Sequence, residues 1–450
     1  MIAFAPSVLL ALCPPQSPDD VLAEYTLRGQ PATITRRDVA LEMAFHLRRQ
    51  DRGREACDML VDALLTRREA EKHDLMPSKA EVQAFWRKLR QQLIAAGKRP
   101  EEFAAVRNTG EQQWLDDLSV QLAQERLVRR ELGLDANERV GGDMLRLWLG
   151  ELRKRFDVCT DPDRLPIGTA VRVERTNVPL IELGYLLLRT SEDFERDKFI
   201  RQVAYLESIE ALAADRGLSV SQSDLDRAVA ERRRAAAKDP AYRGISFDKL
   251  LEAKGLSIAS LRELRTFRAH ILLEKLGRLE FPDGKLMQQL VEDRDALLAH
   301  IGPARRIGII LARALDTPNA LVTRNFEQAG KHLEKVRERI ASDGFAATAA
   351  IESEHGPSKQ RGGDVGWHRA DSDKLPAAVV QAAFALKLGE VSMPIRGQEG
   401  CYLVTVLDKQ PMPSDQELLE RLRALRTQQL SERLLRDANV RIVAGAAGAK

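Results

Sequence analysis

Apolar residues recur along this chain at two spacings. In "DMLVDALLTRREAEKH" (58–73), Leu60, Ala63, Leu64 and Arg67 fall on one helical stripe and the charges fall on the other side, which predicts an amphipathic helix. The same texture covers most of the first 300 residues, ending in a helix from about Gly284 to His300 that stops at Gly302-Pro303. From Arg305 the pattern changes. "RRIGIILARAL" is an apolar run of strand length. A long helix follows in "FEQAGKHLEKVRERIASDG", stopped by Gly344, and then a short helix in "FAATAAIES". After the glycine-rich stretch "QRGGDVGWHRADSDKLP" (360–376), a third helix runs through "LPAAVVQAAFALKLG". Pro376 lies near its start and Gly389 after its end, and Leu375, Val379, Ala382, Ala383 and Leu386 share one face. "EGCYLVTVLDK" is a final strand. The order β-α-α-α-β in about 105 residues describes a small α+β domain. A helix in "SDQELLERLRALRTQQLSERLLRDA" and a short strand "VRIV" close the chain.

Two segments of the helical part read as copies of one another. "AEKHDLMPSKAEV" and "EEFAAVRNTGEQQWLDDL" in the first correspond to "AADRGLSVSQSDL" and "ISFDKLLEAKGLSIASL" in the second. In each, a helix ends in a turn carrying Leu75 or Leu218. Ser78 or Ser221 then caps a new helix, with Glu81 or Asp224 three residues on. A short helix led by Phe103 or Phe247 follows, then a turn at Gly110 or Gly255 and a further helix. Short extended openings, "AEYTLRGQPATITRRDV" and "AVRVERTNVPLIELGYL", precede each copy, and the Pro- and Asp-rich "DVCTDPDRLPIGT" (157–169) reads as the linker between them. The expected organisation is a terminal segment 1–20, helical modules 21–160 and 170–302, the α+β domain 305–410, and a C-terminal helix and tail 414–450. The fold class is mostly α with one α+β domain.

Composition narrows the function. A chain of 450 residues is long enough for about two to four domains. Seventy basic against 67 acidic residues leave a net charge of only +3, which argues against a nucleic-acid binder. "ERRRAAAK" (231–238) reads as a solvated helix face. Cys13, Cys57, Cys159 and Cys401 are widely spaced, with no zinc pattern and no disulfide framework, although a Cys57–Cys159 bridge stays open. Met1 to Cys13 is apolar, too short to span a bilayer and of the length of a signal-peptide core, so residues 1–20 are expected to be a signal peptide or a disordered end. No integral membrane span is expected.

The segments "GFAATA", "GGDVGW", "LPAAVVQAAFALKLGEVSMPI" and "GCYLVTV" resemble, in order, the parvulin family of peptidyl-prolyl cis/trans isomerases (the PpiC or rotamase type), and the two helical copies resemble the chaperone domain of SurA-like periplasmic foldases. The resemblance implies a periplasmic or secreted protein that binds unfolded or extended polypeptides, with an apolar pocket for the proline ring of an X–Pro segment. Leu375, Val379, Phe384 and Ile309 fall at positions that line that pocket. Ile309 and Tyr402 stand where such domains carry two buried histidines, and His355 stands in the loop position of a Cys or Asp. Tyr402 and His355 are therefore the candidate catalytic groups. Isomerisation breaks no bond, so no metal or other cofactor is expected.

Three readings compete at this stage: a weakly active isomerase-chaperone, a holdase whose parvulin-like domain only binds peptides, and a metal or hydrolytic site built from His355, Asp364 and His368. Both missing histidines weigh toward the second.

Overall fold

The computed structural model describes residues 17, 19–97, 111–135, 138–242 and 244–443. The expected terminal segment 1–20 therefore lies almost wholly outside the described residues, as do Phe103 and Gly110 of the first copy. The described chain divides into one compact unit of residues up to 276 together with those from 430, and a second of residues 277–429. This partition cuts across the segments read from the sequence, because burial groups residues by the surface they share and not by chain order.

The first unit opens with a hairpin, β1 (Val21–Leu27) and β2 (Gln30–Thr35), with β10 (Arg441–Ile442) on the other edge of β1. Then come α1 (Arg36–Leu47), α2 (Asp51–Lys72), α3 (Lys79–Ala95), α4 (Glu111–Leu132) and α5 (Gly142–Lys154). A second three-stranded sheet, β3 (Val158–Cys159), β4 (Thr169–Val173) and β5 (Thr176–Pro179), leads into α6 (Leu180–Arg189), α7 (Asp193–Asp215), α8 (Gln222–Lys238), α9 (Phe247–Glu252), α10 (Ile258–Glu263) and α11 (Arg265–Glu280). The first residues of the expected linker are thus a strand.

Hairpin, short helix, long helix and box-capped helix follow in the same order in both halves. Ser78 accepts from the Glu81 N–H, and the Glu81 carboxylate accepts from the Ser78 N–H at 2.7 Å. Ser221 and Asp224 do the same. The Ser78 backbone N–H, above all, holds the Glu81 carboxyl down at about 2. The short helices α1 and α6 pack together. A Cβ on Gly184 would lie 2.1 Å from the Ala40 carbonyl oxygen, so the contact requires glycine there. Cys57 and Cys159 are both buried free thiols, so no bridge joins them.

Where the two halves meet, three carboxylates gather round one guanidinium. Arg265 donates to Glu210 at 2.6 and 2.7 Å, Gln202 donates to buried Glu42 at 2.7 Å, and the Tyr25 hydroxyl donates to Glu207. Burial, first of all, raises the Glu42 and Glu207 carboxyls above their ordinary range.

The second unit holds α12 (Asp283–Glu292) and α13 (Arg294–Ile301), β6 (Arg305–Arg313), α14 (Phe326–Asp343), α15 (Phe345–Glu352), α16 (Gly356–Lys359), β7 (Asp364–His368), α17 (Ala377–Ala385), β8 (Ile395–Arg396), β9 (Gly400–Lys409) and the part of α18 (Asp415–Asp437) up to Gln429. The single helix expected over 284–300 is two helices that break at Asp293, whose φ of −121° and ψ of 32° leave the helical range. Two arginines of α18 serve as caps. Arg421 donates to the carbonyls of Ile301 and Gly302 at 2.9 and 3.1 Å, and Arg423 to that of Phe281 at 3.1 Å, satisfying helix-end acceptors that lack intrahelical partners.

The α+β part is a four-stranded antiparallel sheet in the order β7-β6-β9-β8, so β7 and β8 add to the two strands expected. Its centre is buried on both faces. Ile310, Ala312, Cys401 and Leu403 face Ala329, Leu333 and Val336 of α14. Ile307, Ile309, Tyr402 and Val404 face Val379 and Ala383 of α17.

Gly184→Ala should destabilise the first unit by about 1–3 kcal/mol, since two helix backbones must part to admit the methyl group; urea denaturation of the full chain measures it. The raised carboxyls set the pH dependence. A carboxyl with a folded pKa above its unfolded value gives the folded state the tighter proton, so stability should rise as pH falls from 7 toward 5. Carboxyls held low, such as Glu81, lose their contribution only at more acid pH. Glu42→Gln should raise the melting midpoint at pH 7 and flatten its rise toward pH 5; an unchanged profile in differential scanning fluorimetry would count against this.

Candidate functional site

Most of the residues expected to line a pocket fall on the α17 side of the sheet, and strand register explains why. β6 and β9 pair antiparallel with Ile309 opposite Val404 and Leu311 opposite Tyr402. Side chains alternate across a strand, so Ile309, Leu311, Tyr402 and Val404 share one face. Helix α17 lays Val379 and Ala383 on that face, and Leu375, just before the helix, closes its edge. Four of the candidates, Ile309, Leu375, Val379 and Tyr402, therefore meet in one apolar cluster. Three of them are packed shut: Ile309 is 1% exposed, Val379 0% and Tyr402 3%.

The glycine-rich stretch makes this packing possible. Gly363, at φ +82°, accepts a hydrogen bond from the Ile309 N–H at 2.9 Å, and a Cβ there would lie 2.6 Å from the Ile309 carbonyl oxygen. Only glycine lets the chain approach β6 so closely at this residue. Asp364 then fixes the turn into β7 by accepting from the Gly366 N–H at 2.8 Å and from Arg306 at 2.9 Å. Burial works against that ionised carboxylate, and these two donors outweigh it, leaving its pKa below the usual value.

Phe384 is not in the cluster. The guanidinium of Arg305 lies 5.0 Å from its ring centroid and donates to the carbonyls of Ala383 and Leu386, both at 2.7 Å. A residue one position past Ala383 on a helix points about 100° away from it, so Phe384 cannot share the Val379–Ala383 face.

His355 precedes α16. Its Nδ1 is 2.7 Å from the Ser358 hydroxyl, and its backbone N–H donates to Ser353 Oγ at 3.3 Å. Partial burial, with Arg313 and Arg361 nearby, pushes its pKa below the ordinary histidine value against the opposing charge of Glu399. The Tyr402 hydroxyl is pushed up to about 12 by burial first and by Glu399 second. Arg313 and Glu399 thus act on both groups. Arg313 pairs with Gly400 in register, which brings it to the chain neighbour of Glu399 at this strand end. The sequence reading missed Arg313 and Glu399. Their signal was faint: both are charges adjoining an apolar run, and only the register brings them together.

A Cβ on Gly397 would lie 2.6 Å from the Tyr402 ring, so the loop before β9 rests on that ring. His355, Asp364 and His368 do not converge on a metal or hydrolytic centre. His368 is held by Ser372 Oγ at 2.9 Å and by the Val365 carbonyl at 3.2 Å, Asp364 by Arg306 and His355 by Ser358. Among the described residues no group of three His, Cys, Asp or Glu could hold a metal ion, and no helix is long and apolar enough to cross a membrane.

The sheet, its glycine-bound central strand and proline-led α17 form one α+β domain. Residues 312–408 match the PPIC-type PPIASE (rotamase) domain family. The chain is homologous to chaperone SurA and to foldase protein PrsA. It is 29% identical over 268 residues to SurA of Chromohalobacter salexigens, covering 56% of this chain and 58% of that one. It is 23% identical over 270 residues to PrsA of Clostridium kluyveri, covering 59% and 74%. The crystal structure of PrsA from Bacillus anthracis is similar at a TM-score of 0.27 and 18% identity, over 55% of this chain and 98% of that one. The chain spans less than two thirds of the length of the SurA relative it matches.

Tyr402→Phe should leave the fold intact, since it removes one hydroxyl from the edge of an apolar cluster. Gly363→Ala should cost about 1–3 kcal/mol, because its methyl group meets the Ile309 carbonyl at an unfavourable φ. Chemical denaturation of the two variants beside the parent chain measures the contrast.

Proposed function

We propose that this protein is a foldase-chaperone that works outside the cytoplasm, in the periplasm or as a secreted protein. It binds unfolded or extended polypeptides and acts weakly on their X–Pro bonds. The observation that carries the reading is the joint presence of a PPIC-type domain and similarity over more than half of the chain to proteins named chaperone and foldase. The apolar run from Met1 to Cys13 supports the location, and the near-neutral charge leaves apolar burial as the main attraction for a client.

The chemistry follows from the amide. The barrier to rotation is about 18–20 kcal/mol because resonance flattens the bond. A site lowers it by holding the proline ring away from water and favouring the twisted amide, in which charge separation is smaller. Ile309, Leu375 and Val379 supply the apolar side of that task. The polar side is reduced to the Tyr402 hydroxyl, which can donate to the amide, and to His355 at the rim. Phe384 is engaged with Arg305 and not with this cluster.

A second reading, a holdase whose PPIC-type domain binds peptide without turning it over, is favoured by the burial of Ile309, Val379 and Tyr402. Side chains packed against one another must part before a proline ring can enter.

Two assays on the full chain separate the readings. The foldase reading expects a measurable rate increase on an Ala-Pro peptide, reduced in Tyr402→Phe with peptide affinity nearly unchanged, because the hydroxyl acts in the transition state. No rate above the uncatalysed one, together with suppressed aggregation of a chemically unfolded client, would establish the holdase reading. Failure to suppress aggregation at several-fold excess would remove both.

A further inference from the structure

A groove of about 390 Å³ runs between α7 and α11 in the first unit. On α7 its lining falls at positions 198, 201, 202, 205, 206 and 209, and on α11 at 266, 269, 270 and 273. These positions are i, i+3, i+4, i+7, i+8 and i+11 on α7 and i, i+3, i+4 and i+7 on α11, the spacing by which a helix presents one face to another helix. The α7 stripe is about 16 Å long at 1.5 Å per residue, room for roughly three turns of a third helix.

The floor is apolar. Leu206, Ile209 and Ala269 are buried in the core beneath it, and half-buried Tyr205 and Leu273 line the way in. Leu435, from α18, is 48% exposed on its border. The rim at the N-terminal end of α7 is cationic. Lys198 and Arg201 are both exposed, and among the described residues neither has a carboxylate partner. The other basic rim group, His270, is already matched with Glu274 at 3.1 Å. The uncompensated charge of the groove is therefore positive and confined to one end.

We propose that this groove seats an amphipathic helical segment of a client polypeptide, with an apolar stripe laid on Leu273, Tyr205 and Leu435 and an acidic residue against Lys198 and Arg201. The proposal rests on the chaperone reading and adds the kind of segment recognised: apolar, helix-forming and acidic on its flank. Apolar burial supplies the attraction and the cations select partner and orientation.

The test uses two labelled peptides of about 14 residues with the same leucine stripe, one flanked by Glu and one by Lys, and fluorescence anisotropy with the full chain at low salt. The Glu peptide should bind about tenfold more tightly, a preference that shrinks as salt rises. In Lys198→Glu/Arg201→Glu the preference should invert, and Leu435→Asp should weaken both peptides. Lys198 and Arg201 are exposed, so the double variant keeps its core; circular dichroism verifies this. Equal affinities, a preference that survives charge reversal, or no binding of either peptide would overturn the proposal. Equal binding of a Glu peptide broken by a central proline would overturn its helical form. Aggregation suppression by the same double variant keeps the two ideas apart. If suppression persists while the peptides show no charge preference, the chaperone reading stands and the groove proposal falls.

Discussion

The second unit depends on one pairing, that of Arg305–Arg313 with Gly400–Lys409. Seven consecutive residues of the latter strand, Gly400 to Val406, are buried, as are six of the former, Ile307 to Ala312. A strand pair with no wet face needs cover on both sides, and the antiparallel register divides its side chains between two layers, with the buried Thr405 hydroxyl donating to the Glu390 carbonyl at 2.9 Å. The helices Phe326–Asp343 and Phe345–Glu352 cover one layer, and Ala377–Ala385 covers the other. Register therefore decides which residues can form a pocket at all.

That constraint also limits the chemistry. Ile309 and Tyr402 lie on the pocket layer at interior positions of their strands, so a polar group at either must be tolerated by an apolar core. The isoleucine removes that burden on one side. The tyrosine keeps one hydroxyl while burying its ring under the loop at Gly397. Of the other polar groups, Arg313 and Glu399 are exposed and His355 is held by the Ser358 hydroxyl.

The first unit solves a different problem. Its two halves meet through short helices that touch at Gly184 and through a cluster in which Glu42, Glu207 and Glu210 share Arg265. Burying excess negative charge at a seam is costly. Its retention makes that seam responsive to protonation, whereas the neighbouring groove carries excess positive charge at its mouth.

Much of this was legible in the residues. Ser78-x-x-Glu81 and Ser221-x-x-Asp224 announce helix starts because a capping box is local chemistry, closed within four residues. The apolar runs at 305 and 399 are strands in the structure, and the motifs from "GFAATA" to "GCYLVTV" marked a PPIC-type domain, because period and motif order are also properties of the chain itself. Tertiary structure alone decided the rest. It turned Phe384 to Arg305, broke the helix at Asp293, made 158–159 a strand and cut the compact units across the sequence segments. It also brought Arg313 and Glu399 within electrostatic reach of both Tyr402 and His355, and left Lys198 and Arg201 bare above an apolar floor. Each of these outcomes depends on which distant surface a side chain meets, and local propensity carries no information about a neighbour a hundred residues away.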